Sequence, residues 1–451
     1  MNETTIEFKR KAYDEFLRWK ANLAGKTALL VEGARRVGKT HLVSKFARQE
    51  YASFLYIDFS AKGKQVRAYK RAFEECDDIA NLLERLQLLS GVTLVPGGSC
   101  VVFDEVQRYP PAREAIKQLV AYGRYHYIET GSLLGINENV KDIVIPSEEH
   151  SIKLHPMDFE EFLWATGNAN LSEHIRKCFE MKCPLARDIH AKAIDLARQY
   201  MVVGGMPQSV EAYLQGGDHR LEAAESMKQE ILRLYVQDIG KYAKGYAPKV
   251  RAIFRHIPSA LNSGEKKFHL SEINTNARMR RYENAFLWLS DAMVANIAYN
   301  STDPDVGLEM NLESSSFKCY LSDTGLLVSL AMTGAKDIDG RVLRGILYDK
   351  LGVNEGMFFE NYVAQELVAS GHELLFHSKA SPKMEIDFLI RHGIKICPIE
   401  VKSAASRRHA SLDLLIKRCH RKLGAKYVVC PENLAERNGV TYLPFYMVHC
   451  L

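Results

Sequence analysis

At 451 residues, 47% hydrophobic and 25% charged, the chain has an ordinary globular composition and the length for about three domains. The net charge of +5 permits a local nucleic-acid surface without arguing for one, and no apolar run is long enough to span a bilayer. Nine cysteines are scattered without a CxxC pair or a His/Cys set at zinc spacing, and the N-terminus is polar, so a cytoplasmic setting with reduced thiols and no membrane partner is expected.

An opening helix is predicted over Phe8–Leu23, followed by an apolar strand, Ala28-Leu29-Leu30-Val31. The loop Glu32-Gly33-Ala34-Arg35-Arg36-Val37-Gly38-Lys39-Thr40 comes next, and a helical segment runs from His41 to Gln49. Gly33 to Thr40 meets every required position of the P-loop pattern, in the strand–loop–helix setting that the pattern needs. Gly33 and Gly38 would let the backbone turn its N–H groups toward phosphate oxygens, and the helix N-terminus adds a favourable potential for an anion. Lys39 would reach the β- and γ-phosphates, and the Thr40 hydroxyl would hold Mg²⁺. The nucleotide-binding candidates are therefore Gly33, Ala34, Arg35, Arg36, Val37, Gly38, Lys39, Thr40 and His41, and the expected cofactors are ATP and Mg²⁺. Arg35 and Arg36 read equally well as phosphate or partner contacts and as solvated groups.

A second strand is predicted at Ser53–Phe59, a helix at Asp78–Leu89, and a third strand at Cys100-Val101-Val102-Phe103-Asp104-Glu105. Helix resumes near Ala112–Val120, and a fourth strand is expected at Tyr125–Thr130. Strands alternating with helices predict a parallel sheet covered on both faces, with ligands at the carboxyl ends of its strands. An apolar run closing on Asp-Glu is the Walker B pattern: Asp104 would support Mg²⁺ through a water, and Glu105 would polarise the attacking water as the catalytic base. Thr130-Gly131-Ser132 ends the next strand; Ser132 would sense the γ-phosphate, or the segment is simply a Gly-Ser turn. Gln107 reads as a water-positioning group or as a surface glutamine.

The middle of the chain is helical near Leu185–Met201, Leu221–Tyr242 and Lys249–Leu261, punctuated by Gly204-Gly205-Met206-Pro207. A short helix at Ser271–Asn274, another at Met279–Leu289 and two strands, Met293–Tyr299 and Phe317–Leu321, then give the outline of a winged helix. Its basic residues Lys266, Lys267, Arg278, Arg280 and Arg281 read either as a seat for duplex phosphates or as the solvated helix start of a structural connector. Beyond it, Glu355–Leu367 reads as a helix carrying Glu360. Met384–Ile390 and Ile396–Lys402 read as paired strands around a turn at Arg391-His392-Gly393. Asp387 stands on the first strand, and Glu400 and Lys402 share a face of the second. Two carboxylates and a lysine can bind Mg²⁺ and activate water for phosphodiester hydrolysis, which makes Asp387, Glu400 and Lys402 catalytic candidates.

In these residues the chain resembles the AAA-related ATPases of bacteria and archaea that carry a C-terminal restriction-endonuclease-like domain. The likeness rests on Gly33–Thr40, Phe103-Asp104-Glu105-Val106-Gln107, Thr130-Gly131-Ser132, His155-Pro156-Met157-Asp158-Phe159-Glu160-Glu161-Phe162 and Gly204–Pro207. Asp387, Glu400 and Lys402 look like the PD-(D/E)xK nuclease signature, and Glu360 matches the helical acid that such nucleases add upstream as a metal ligand. Many relatives place a Gly-Arg before the Pro-x-x-Phe-Glu-Glu segment; Ile145-Pro146-Ser147-Glu148-Glu149-His150 stands there instead, which leaves an arginine sensor unplaced. The fold implied is α/β: a P-loop NTPase core over 1–165, a helical lid over 166–262, a winged-helix-like segment over 263–345, and a smaller restriction-endonuclease-like α/β domain over 346–451. The function implied is Mg²⁺-dependent ATP hydrolysis coupled to a nuclease-like domain that acts on nucleic acid, foremost DNA. The alternative is an ATP-driven switch or scaffold that binds DNA or a protein partner without cutting. Self-assembly, including a ring, is left open by the sequence.

Overall fold

The computed structural model describes residues 6–131, 147–275, 277–304, 307–332, 340–347, 355–381, 383–404, 409–419 and 421–451. These fall into two compact units, one of Lys9–His155 with Asp291–Met293, the other of Pro156–Ser290 and Val294–Leu451 with residues 6–8. No helix among the described residues is long and apolar enough to cross a membrane.

The first unit is built on five parallel strands: β1 (Ala28–Gly33), β2 (Ser53–Asp58), β3 (Ser99–Asp104), β4 (His126–Gly131) and β5 (Glu149–Leu154), in the order β2-β3-β4-β1-β5. Both faces are covered, as near-continuous apolar strands require. Along β3 the side chains alternate: Val101 and Phe103 join Leu55, Tyr69, Leu82 and Ile116 on one side, while Cys100 and Val102 join Phe16, Trp19, Val43 and Phe46 on the other. The covering helices include Lys11–Asn22, Lys39–Glu50, Lys64–Glu75 and Ile79–Ser90; Asp78 caps the last by accepting from Asn81 N at 3.1 Å. The helix expected over Ala112–Val120 is two short ones, Pro110–Glu114 and Ile116–Tyr122. The α/β fold class holds, and the strand order sets the carboxyl ends of β1 and β3 on either side of β4.

The second unit holds a bundle of helices and an eight-stranded mixed sheet. The sheet comprises β6 (Ala295–Ser301), β7 (Leu312–Leu321), β8 (Leu375–Lys379), β9 (Met384–His392), β10 (Lys395–Val401), β11 (Tyr427–Cys430), β12 (Ala435–Arg437) and β13 (Val440–Pro444). Its order is β12-β13-β11-β10-β9-β8-β6-β7. β9 and β10 form the antiparallel hairpin that the spacing predicts, with Ile399 opposite Phe388. The β6–β7 hairpin joins the same sheet, because Tyr299 and Asn300 pair in parallel with Leu375 and Phe376 of β8. A boundary at 345 therefore runs through one continuous sheet. The helix Glu355–Ala369 is buried from Met357 to Leu367 without interruption.

The segment Pro156–Phe162 has a structural account. Asp158 caps the helix Phe159–Ala165, accepting from Glu161 N at 2.8 Å while Glu161 accepts from Asp158 N, a complete capping box. Glu160 pairs with Arg176 and accepts from Ser172 Oγ, so each acid of the motif has a packing role.

Candidate functional site

The P-loop leaves β1 through Gly33. A Cβ added there would lie 2.4 Å from Leu154 O on the adjoining strand, so a side chain is excluded by backbone. Arg36 (φ 70°) and Gly38 (φ 100°) are left-handed and turn the chain into the helix Lys39–Glu50. Lys39 is buried, and its ammonium donates to Gly33 O at 2.8 Å and Ala34 O at 3.1 Å. Burial pushes this ammonium below its ordinary pKa, against the pull of Glu105 and Asp104. Arg35, Arg36, Thr40 and His41 lie toward solvent on the same loop and helix start, whereas Ala34 and Val37 pack inward.

Asp104, at the end of β3, is the hub of the site. Thr40 Oγ1 donates to its two oxygens at 3.2 and 3.0 Å, and the hydroxyls of Tyr56 and Thr130 also donate to it. A buried carboxylate beside a P-loop hydroxyl is an all-oxygen donor set of the kind that suits Mg²⁺. Glu105 follows with φ 54°, a left-handed backbone that a glutamate adopts only when its surroundings impose it. Two contacts impose it here: Glu105 N donates to Thr130 Oγ1 at 3.2 Å, and Gln107 Nε2 donates to Glu105 Oε2 at 2.6 Å. Gln107 is only 5% exposed, which overturns its reading as a surface glutamine. Ser132 lies outside the described residues.

Tyr56 and Arg10 carry no sequence signal of their own, while Thr130 belongs to the strand-ending Thr130-Gly131-Ser132 segment. Tyr56 reaches Asp104 because β2 and β3 run in register, with Asp58 opposite Asp104. Thr130 links Asp104 to the Glu105 backbone from the central strand β4. Arg10 braces the loop from behind, donating to Val37 O at 3.1 Å and His155 O at 2.6 Å. Charge-assisted bonds of this kind are worth about 1.5–3 kcal/mol. Arg10→Ala is therefore expected to destabilise the first unit by about 2 kcal/mol, read as a lowered denaturant midpoint; an unchanged midpoint would show that the brace carries no load.

In the second unit the predicted nuclease-like residues pair with lysines. Glu400 pairs with Lys402 at 2.7 Å, and its other carboxylate oxygen is buried. Glu360 and Asp387 both contact Lys318, a fully buried residue of β7. The Lys318 ammonium lies 2.9 Å from Glu360, 2.9 Å from Glu385 and 3.4 Å from Asp387. Lys266 pairs with the second oxygen of Glu360, Tyr320 donates to Glu360 at 2.5 Å, and Val401 N donates to Asp387 at 2.9 Å. Among the described residues no three His, Cys, Asp or Glu side chains converge to hold a metal ion. Ammonium groups lie against these carboxylates: Lys318 and Lys266 on Glu360, Lys318 on Asp387, and Lys402 on Glu400. Lys266 is likewise turned inward rather than toward a nucleic-acid surface, while Arg278, Arg280 and Arg281 are exposed. The signal for Lys318 was a single charge in the apolar run Phe317–Leu321.

Residues 25–163 match a family model described as an AAA domain. Residues 194–337 and 355–448 match two models described as domains of unknown function, DUF8612 and DUF4143. No curated protein matches the chain. Among solved structures, it is similar to a Walker-type ATPase of Pyrococcus abyssi at 15% identity, covering 72% of this chain and 96% of that one with a TM-score of 0.43. It is also similar to Cdc6p of Pyrobaculum aerophilum at 10% identity, covering 78% of this chain and 97% of that one with a TM-score of 0.29. A signal transduction ATPase with numerous domains from Pyrococcus horikoshii aligns at 9% identity, over 81% of this chain and 50% of that one, with a TM-score of 0.29. Residues 25–163 are thus similar to an AAA domain, and the P-loop and the strand-ending Asp-Glu pair both lie inside that match.

Proposed function

We propose that this protein is an Mg²⁺-dependent ATPase whose nucleotide cycle governs nucleic-acid binding by the region after residue 262, without strand cleavage. The observation that carries the ATPase reading is the hydrogen-bonded set Lys39, Thr40, Asp104, Glu105, Gln107 and Thr130 at the ends of three adjacent strands. Lys39 supplies positive charge to the β- and γ-phosphates, and the loop N–H groups and helix start bind their oxygens. Thr40 and Asp104 would hold Mg²⁺, which neutralises phosphate charge when bound. Glu105 takes the proton of the attacking water as its oxygen bonds to the γ-phosphorus and the bond to the ADP oxygen breaks. Gln107 and Thr130 fix where that carboxylate points.

Nucleic-acid binding rests on the exposed Arg278, Arg280 and Arg281 at the start of the helix Met279–Asp291, followed by the β6–β7 hairpin. The non-cleaving reading is favoured over the nuclease reading by Lys318, whose buried ammonium lies against Glu360, Glu385 and Asp387. Lys39→Ala is expected to weaken ATP binding by about 100-fold or more in a nucleotide titration, a loss that only a charged phosphate contact explains. Hydrolysis left intact by Lys39→Ala would remove the P-loop assignment. For the output, duplex and single-stranded DNA are titrated by fluorescence anisotropy and incubated with Mg²⁺ or Mn²⁺, with and without ATP. Salt-sensitive binding without cleavage is expected; cleavage abolished by Asp387→Ala or Lys402→Ala would restore the nuclease reading.

A further inference from the structure

We infer that Lys318 is the resident cation of the C-terminal acidic cluster, standing where a nuclease-like site would bind a divalent metal. This deepens the non-cleaving reading above. Glu385 and Asp387 are two residues apart on β9 and point to the same face of the sheet. Glu360 meets them from the helix Glu355–Ala369, and Lys318 arrives from β7, so three distant segments converge on one ammonium.

The chemistry of this group matches its burial. A buried ammonium without partners is costly, and three carboxylates gathered without a cation are costlier still. Lys318 has three hydrogen-bond donors, and three carboxylates lie within 3.4 Å of it. The remaining capacity of the acids is also assigned: Glu360 to Lys266 and Tyr320, and Asp387 to the Val401 N–H. Lys318 further lies 5.3 Å from the centre of the Phe376 ring, whose face favours a cation. Burial raises the Glu360 carboxyl, yet Lys318 and Lys266 outweigh it and hold the group down at about 2. Asp387 is pushed up to about 6 by burial and then by Glu360. A divalent ion on Glu360 and Asp387 would meet the Lys318 ammonium at contact distance, so the two cations are mutually exclusive. The fourth acid, Glu400, pairs with Lys402 through one carboxylate oxygen.

The test uses the full chain carrying Asp104→Asn, so that the nucleotide site does not contribute, and follows free Mn²⁺ by electron paramagnetic resonance. With Lys318 present, the titration is expected to be the same whether or not Asp387→Asn is added. Replacing Lys318 by Met should create about one new Mn²⁺ site per chain, abolished by adding Asp387→Asn. Mn²⁺ bound in an Asp387-dependent way while Lys318 is present would overturn the inference. So would a Lys318→Met protein that folds and gains no site. Should Lys318→Met fail to fold, the Lys318→Arg chain decides: it keeps the cation, so Asp387-dependent Mn²⁺ binding by it overturns the inference and exclusion of Mn²⁺ upholds it. Neither ATP nor nucleic acid enters the titration, so its failure is distinct from a failure of the ATPase reading.

Discussion

Glu105→Gln is expected to keep ATP binding and to cut steady-state turnover by about 10²- to 10⁴-fold, the range removed with a general base. The substitution preserves shape and removes only the ability to take a proton. Its neighbours make this a clean comparison. The backbone at Glu105 is pinned by Thr130, and the left-handed φ of 54° is set by those contacts rather than by the carboxylate. The partner of the side chain, Gln107, donates to the carboxylate at 2.6 Å and can donate equally to an amide oxygen. Nucleotide affinity should therefore stay within about threefold of the parent, since Lys39 and the loop are untouched. Single-turnover hydrolysis alongside a nucleotide titration checks both halves. Turnover within about tenfold of the parent would assign the base elsewhere, because proton transfer from water is the only step this carboxylate is asked to assist.

How far the molecule was legible in its sequence follows from how local each feature is. The P-loop was legible because one strand, one loop and one helix start contain every part, and sterics at Gly33 and Gly38 dictate glycine there. Asp104 and Glu105 were legible as the end of an apolar run, since a fully buried parallel strand must turn polar where it leaves the sheet. Arg10 was not, because its partners at Val37 and His155 lie 27 and 145 residues away. The Lys318 cluster was hidden for the same reason, as its bonds to Glu360 and Asp387 span 42 and 69 residues. Sequence spacing placed Asp387 and Glu400 on paired strands, which the β9–β10 hairpin shows, but periodicity says nothing about which cation a carboxylate meets. The continuity of the second sheet across position 345 rests on two residue pairs between β6 and β8, too few to leave a pattern.

Gly205→Ala is expected to destabilise the second unit by about 3 kcal/mol or more, a cost reserved for insertions that meet rigid backbone. The Gly204–Pro207 break read as punctuation and as part of the family likeness in the sequence, and the structure gives it a packing role. A Cβ on Gly205 would lie 2.0 Å from Met157 O and 2.9 Å from Met157 N, atoms that cannot swing aside. Met157 N donates to Gly205 O at 2.7 Å, and Tyr200 OH donates to Met157 O at 2.5 Å, so the two segments are locked on both sides. Gly205 N in turn donates to Asp323 at 2.5 Å. The other oxygen of Asp323 caps the helix Thr324–Ala331 through Leu326 N at 2.8 Å. Any shift that relieves the clash at Met157 must stretch one of the charge-assisted bonds to a fully buried carboxylate. Gly204 adds a second constraint, with φ 81° and a virtual Cβ 2.4 Å from the same Asp323 oxygen that caps the helix. Chemical denaturation of Gly205→Ala against Gly217→Ala separates the causes, since Gly217 has a positive φ that Gly205 lacks and open space around its Cβ. Gly217→Ala should cost about 1 kcal/mol through backbone strain alone. Equal losses at the two sites would mean that contact with Met157 contributes nothing and that the break is punctuation after all.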